Sequence, residues 1–220
     1  MPRRDPQSAA VAAICAADPE FGAFIERAGP LEERPGEGDH FTSLARAIVF
    51  QQLAGRAAAA IYGRTVTAVG GRMTAEAVLA TSVEALRGAG LSGAKAASLL
   101  DLAAKAADGS VPLAELPALD DEEIIRRLVT VRGIGRWTAE MFLLFELRRP
   151  DVWPVDDYGV RNGWSIIHGL PEMIRPRALA AKGERFRPYR STVARYCWQA
   201  VHIERGQLVV PAAEPEPSVT

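Results

Sequence analysis

LVTVRGIGRWTAEMFLL, residues 128–144, is the stretch on which the reading of this chain turns. One apolar helical pattern ends before Gly133 and another begins at Arg136, so Gly133-Ile134-Gly135 must carry the whole reversal. Two glycines two apart permit positive φ and a tight turn, and they leave the backbone open to an approaching ligand. The first N–H groups of a helix lack intrahelical partners and lie at the positive end of its dipole, which suits an anion. Arg132 and Arg136 flank that position, and Ile134 is expected to face inward and pin the two helices. Two readings stand at this point: a phosphate-binding hairpin, or a helix–helix turn that uses glycine for its small size.

Outward from the hairpin the pattern stays helical. The spacing predicts helices over 7–16, 19–27, 41–51, 55–68, 74–80, 82–88, 93–107, 120–129, 136–148, 157–167, 171–182 and 189–204. Asp18 before Pro19 reads as an N-cap, and Asp120 with Glu123 as a capping box. GPLEERPGEGDH (29–40) reads as a loop and the last nine residues as disordered. No stretch alternates apolar and polar residues as a half-buried strand does. The expected fold class is all-α: two helical lobes around a cleft, with residues 1–40 and 149–220 in a terminal lobe and 41–148 in a central one. A shorter echo of the hairpin, LRGAGLSGAKAASLL (86–100), also sets a glycine turn between two helices.

Composition excludes several classes. No apolar run is long enough to span a bilayer, and MPRRDPQSAA lacks the core of a secretory signal, so a cytoplasmic protein is expected. A monomer is expected as well. Cys15 and Cys197 read as buried thiols, too few for an iron–sulfur cluster. His40, His168 and His202 show no metal-ligand spacing. The net charge of −1 is unlike that of a nonspecific nucleic-acid binder, yet from Arg126 to Arg205 basic residues clearly outnumber acidic ones.

Arg149-Pro-Asp-Val-Trp-Pro-Val-Asp-Asp-Tyr-Gly-Val-Arg follows the hairpin. Pro154 ends any earlier helix, so Asp156 and Asp157 stand at the start of the next one, where an aspartate needs no function beyond capping. GIGRWTAEM and PVDDYGVR, in this order and spacing, resemble the helix-hairpin-helix DNA glycosylase superfamily, in particular its 3-methyladenine DNA glycosylase II branch. The resemblance runs from about Phe41 to Ile203. Larger members carry an extra N-terminal β-rich domain, for which the residues before Phe41 are too few.

The resemblance implies a hydrolytic enzyme of base excision repair acting on double-stranded DNA that contains alkylated bases, such as 3-methyladenine and 7-methylguanine. It makes Asp157 the catalytic carboxylate and leaves Asp156 as a cap or support. Breaking an N-glycosidic bond builds positive charge on the sugar, which an ionised carboxylate stabilises, and a helix N-terminus favours the ionised form. Alkylation makes the base a cationic leaving group, so a dedicated general acid is less necessary. Bifunctional members carry a Schiff-base lysine where this chain has Trp137, so no strand-cleaving lyase activity is expected.

A flipped cationic base is best held by aromatic faces, for which Trp137, Tyr158 and Trp198 are the candidates and Trp153 a core residue. Leu53, in FQQLAGR, matches the branch's intercalating wedge, with Gln51 and Gln52 near bases; the alternative is a buried staple. Ala54 stands where the branch often has a capping Ser or Thr. Gly133, Gly135, Arg132, Arg136 and Trp137 are the expected phosphate contacts, with Lys95 in the echo near another phosphate. The family also implies a monovalent cation, Na+ or K+, joining the carbonyls of Val129, Val131 and Ile134 to a phosphate. Two other readings stay open: a noncatalytic helix-hairpin-helix DNA-binding protein, and a glycosylase for oxidised or mismatched bases.

Overall fold

The computed structural model describes residues 6–32 and 39–207. The disorder expected of the last nine residues lies outside them, as does half of the loop over 29–40, residues 33–38. Among the described residues there is no strand, and the helices are α1 (Pro6–Ala17), α2 (Pro19–Ala28), α3 (His40–Phe50), α4 (Gly55–Ala68), α5 (Ala75–Leu79), α6 (Val83–Gly88), α7 (Gly93–Ala107), α8 (Asp121–Leu128), α9 (Arg136–Met141), α10 (Tyr158–Ile167), α11 (Pro176–Gly183) and α12 (Arg190–Glu204). They divide into two compact units, Met1–Arg34 with Arg149–Thr220, and Pro35–Arg148. His40 falls in the second unit, where its Nδ1 lies 2.8 Å from the Leu113 carbonyl and its ring meets Phe142 edge-on.

The first unit is built on interlocking rings. Phe21, Trp164, Phe186 and Tyr196 are fully buried, with the Phe21 ring about 6 Å from each of the other three. Asp18 caps α2 as expected, accepting the Phe21 N–H, and Pro19 fits at the first helical position. The same carboxylate meets His168 Nε2 at 2.9 Å and the Arg185 guanidinium, while His168 stacks on Trp164 with centroids 4.2 Å apart. Burial raises the Asp18 carboxyl, but the His168 and Phe21 hydrogen bonds and the His168 and Arg185 charges together hold it below its ordinary value. Sequence spacing alone hides this cluster, because its members are some 150 residues apart.

The second unit packs α7 against α3 and α5 through Leu99, Leu102 and Ala103, one face of a helix, all fully buried. Asp120 caps α8 by accepting the Glu123 N–H at 2.8 Å. The return half of the capping box is missing, since the Glu123 carboxylate pairs with Arg126 and Arg127 instead. The helix expected over 136–148 keeps α-geometry only to Met141 and widens into a π turn over Phe142–Glu146. The helix expected from residue 171 begins only at Pro176, because a proline disfavours helical geometry in the residue before it; Arg175 is accordingly extended. Among the described residues no helix is long and apolar enough to cross a membrane. Both cysteines are free thiols; Cys197 is buried as expected, but Cys15 is only partly so.

Candidate active site and nucleic-acid interface

Asp157, not Asp156, caps α10. Its backbone is extended, and its Oδ1 accepts the Val160 N–H at 2.7 Å and the Trp198 indole N–H at 2.8 Å. Asp157 is 8% exposed, whereas Asp156 faces solvent. The capping role expected of Asp156 thus belongs to its neighbour, because the helix starts one residue later than a cap at 156 requires.

The close approach of α10 to α12 is written in two glycines. Gly159 and Gly163 are four residues apart and share a face of α10. A Cβ at Gly159 would lie 2.5 Å from Trp198 Cδ1 and 3.2 Å from Asp157 Oδ1; one at Gly163 would lie 1.9 Å from the Cys197 carbonyl oxygen. Neither glycine has a positive φ, so the requirement is space. Burial, and secondarily the Asp157 charge, push the Cys197 thiol well above its ordinary range, so it is an inert packing group.

The three expected pocket aromatics differ in setting. Trp198 is half-buried, with its N–H committed to Asp157, a partnership that residue spacing does not reveal. Tyr158, beside Asp157 in the chain, is 59% exposed, and Trp137, in the hairpin's unit, is 50% exposed. Trp153 is core: its indole N–H donates to the Leu179 carbonyl at 3.1 Å, and Gly183 leaves room for its ring.

In the hairpin the two glycines do different work. Gly133 has φ +78°, and an added Cβ would meet Ser98 Oγ at 2.6 Å. Gly135, expected to share the positive φ, is extended and caps α9 with no side-chain hydrogen bond; a Cβ there would meet nothing within 4 Å. Ile134 is buried as expected, and Val129 and Arg132 are exposed. The Arg132 N–H donates to Asp101 Oδ2 at 2.7 Å. The Arg136 guanidinium forks onto Glu122 at 2.6 and 3.1 Å and reaches Glu140 at 3.0 Å. Neighbouring carboxylates claim it because α8 brings Glu122 alongside, a juxtaposition that linear spacing does not display.

Leu53 stands at a sharp exit from α3. Gln52 holds φ +57°, a left-handed geometry uncommon outside glycine, and Leu53 is 38% exposed, so it is no buried staple. Ala54 caps α4 without a side-chain bond, which leaves that helix start short of the ~1 kcal/mol a Ser or Thr cap typically contributes. Gln51, expected near bases, donates from Nε2 to the Gly133 carbonyl at 2.9 Å. Lys95, expected near a phosphate, donates instead to the carbonyls of Val49 and Gln51, each at 2.7 Å.

An all-helical chain with a glycine hairpin of this kind, followed by a helix capped by a buried aspartate, defines a class. The model of the HhH-GPD superfamily of base excision DNA repair proteins matches residues 45–188, and the chain belongs to that family. It is 37% identical over 162 residues to DNA-3-methyladenine glycosylase 1 of Schizosaccharomyces pombe, a match covering 72% of this chain and 71% of that protein. The crystal structure of a DNA-3-methyladenine glycosidase from Bacillus halodurans superposes with a TM-score of 0.83 at 34% identity, covering 93% of each chain. The 3-methyladenine DNA glycosylase of S. pombe, solved in complex with abasic DNA, gives a TM-score of 0.77 at 32% identity over 91% of this chain and 98% of that one.

Proposed function

We propose that this protein is a monofunctional DNA glycosylase that hydrolyses the N-glycosidic bond of alkylated bases, 3-methyladenine and 7-methylguanine among them, acting as a cytoplasmic monomer on damaged double-stranded DNA. The observation that carries the reading is Asp157: a buried carboxylate at the N-terminus of α10, whose Oδ1 takes two N–H donors. Both donors fix Oδ1 in place at the helix start, and a carboxylate so held is suited to stand beside a sugar that becomes cationic as the base departs. The carboxylate also orients and deprotonates the attacking water at C1′. No general acid is required of the protein when the leaving base is already cationic. In the first unit, Tyr158 and the face of Trp198 supply aromatic surface suited to an electron-poor purine, and in the second unit Trp137 offers an exposed aromatic face of its own.

The hairpin grips the sugar–phosphate chain. Open space at Gly135 and the uncapped start of α9 support a close phosphate approach, with Arg132 exposed beside them. Arg136 contributes there through its backbone, its side chain being held by Glu122 and Glu140. The carbonyls of Val129, Val131 and Ile134 suit a monovalent cation: they are neutral oxygen donors, and Val131, which accepts the Ile134 N–H at 3.0 Å, keeps a second lone pair. Such an ion would add positive charge between turn and phosphate. Leu53 fills the gap left by the extruded nucleotide.

Trp137 in place of an amine favours simple hydrolysis. Incubated with methylated duplex, the protein is expected to leave alkali-labile abasic sites with the strand continuous until alkali is added, and to form no borohydride-trapped adduct. Strand breaks without alkali would contradict the monofunctional reading, and unaltered DNA the glycosylase reading altogether. Trp198 is argued to act through Asp157, which makes it a positioning residue. Trp198→Phe keeps an aromatic face but loses the N–H, so kcat is expected to fall by about tenfold or more, the worth of a hydrogen bond to a charged group. The loss should be equal for cationic and neutral target bases, with KM little changed. A loss confined to one class of base would return Trp198 to base recognition alone.

A further inference from the structure

Within the second unit, a continuous set of hydrogen bonds ties the turn that presents Leu53 to the hairpin that carries Gly133. Lys95 Nζ bridges the carbonyls of Val49 and Gln51, closing the last turn of α3 where carbonyls lose their helical partners. Gln51 then reaches across with its side chain to the Gly133 carbonyl. Farther along α7, Ser98 lies beneath Gly133, Asp101 takes the Arg132 N–H, and Lys105 donates to the Thr130 carbonyl at 2.7 Å and to Asp101 at 2.7 Å. Positions 95, 98, 101 and 105 recur at helical spacing, so one face of α7 meets both elements. Burial lowers the Lys95 ammonium from its ordinary value, in keeping with an internal tie.

We propose that this face of α7, together with Gln51, is a brace that fixes the Leu53 turn to the phosphate-binding hairpin, and that Lys95 and Gln51 are positioning residues for extrusion of the target nucleotide. The proposal rests on the glycosylase reading, since it assumes that Leu53 enters the base stack. Unstacking a base step costs a few kcal/mol, and an apolar wedge delivers that work only if its backbone does not yield. The wedge sits directly after Gln52, whose left-handed geometry is disfavoured for a side-chain-bearing residue and must be held by its surroundings. The brace also fixes the register between the phosphate gripped at the hairpin and the step entered by Leu53. Neither Gln51 nor Lys95 need touch DNA for this.

The test is a double-mutant cycle read as affinity for a duplex with a tetrahydrofuran abasic-site analogue, against the same duplex undamaged. Gln51→Met removes the donor at similar size. It should weaken binding to the abasic duplex by about fivefold, the worth of one neutral hydrogen bond, and leave the undamaged duplex nearly unaffected. Added to Leu53→Ala, it should cost almost nothing further, because the wedge it supports is gone. Lys95→Met should behave in the same way, with Lys95→Arg restoring affinity; if Lys95→Met fails to fold, the Gln51 cycle decides. An undiminished cost of Gln51→Met in the Leu53→Ala background, equal losses on both duplexes, or no preference of the wild type for the abasic duplex would each overturn the brace. Base release from methylated DNA by the wild type, assayed alongside, judges the glycosylase reading separately: its absence removes that reading, whereas additivity in the cycle with release intact removes only the brace.

Discussion

Asp157→Asn is expected to slow base release from methylated DNA by about a thousandfold, the scale on which single electrostatic groups act in transition states, while the protein still folds and binds DNA. The substitution separates two tasks that one side chain performs. As a cap, Asn serves about as well as Asp, and its amide oxygen can still accept from the Val160 N–H and the Trp198 indole. As a charge, Asn offers nothing to the developing cation at C1′ and no base for the water. Single-turnover release of base measures the loss. Anisotropy on abasic duplex, where removal of one negative charge should weaken nothing, and a thermal melt supply the controls. Asp157→Ala makes the contrast: it should be as inactive but also less stable, by ~1 kcal/mol for the lost cap and further for the half-buried indole N–H left without this acceptor. Appreciable turnover by Asp157→Asn would remove the carboxylate from the mechanism.

Gly163→Ala is expected to be the most damaging glycine-to-alanine change among the described residues, at about 3 kcal/mol or more, the upper end of overpacking. The new Cβ would sit 1.9 Å from a backbone oxygen, that of Cys197, so relief requires α10 and α12 to move apart rather than a side chain to rotate. That displacement would also carry Asp157 away from Trp198. Gly159→Ala differs instructively: its Cβ would meet the Trp198 ring at 2.5 Å, and a ring can swing aside. It should therefore cost less stability yet break the bond to Asp157, giving a variant that folds but resembles Trp198→Phe in rate. Urea denaturation orders the two variants. Equal stability of Gly163→Ala and wild type would mean that the helices do not pack at this distance.

What could be read in the sequence was what depends on neighbours along the chain. The all-helical class followed from apolar spacing, the caps at Asp18 and Asp120 from residue type, and the hairpin from its glycines. Proline explains the late start at Pro176, where local stereochemistry outweighed apolar periodicity, whereas the π turn after Met141 leaves apolar spacing nearly unchanged. What escaped was what depends on elements brought together from afar. Glu122 on α8 stands beside Arg136, the end of α3 meets Lys95, and the indole of Trp198 lies 41 residues along the chain from the carboxylate it meets. The Gly159–Gly163 pair was the one visible trace of the last contact. Small residues at four-residue spacing on a helix otherwise rich in bulky groups mark a face that another backbone must approach, and that signal was open to reading.

The most direct test of the central claim is to incubate wild type and Asp157→Asn side by side with methylated duplex and identify by mass spectrometry what is set free. The wild type should liberate methylated purines as intact free bases, from an otherwise continuous strand, and the variant almost none at equal DNA occupancy. Release of nucleotides rather than bases, or the same free bases at the same rate from both proteins, would contradict a glycosylase that works through the Asp157 carboxylate.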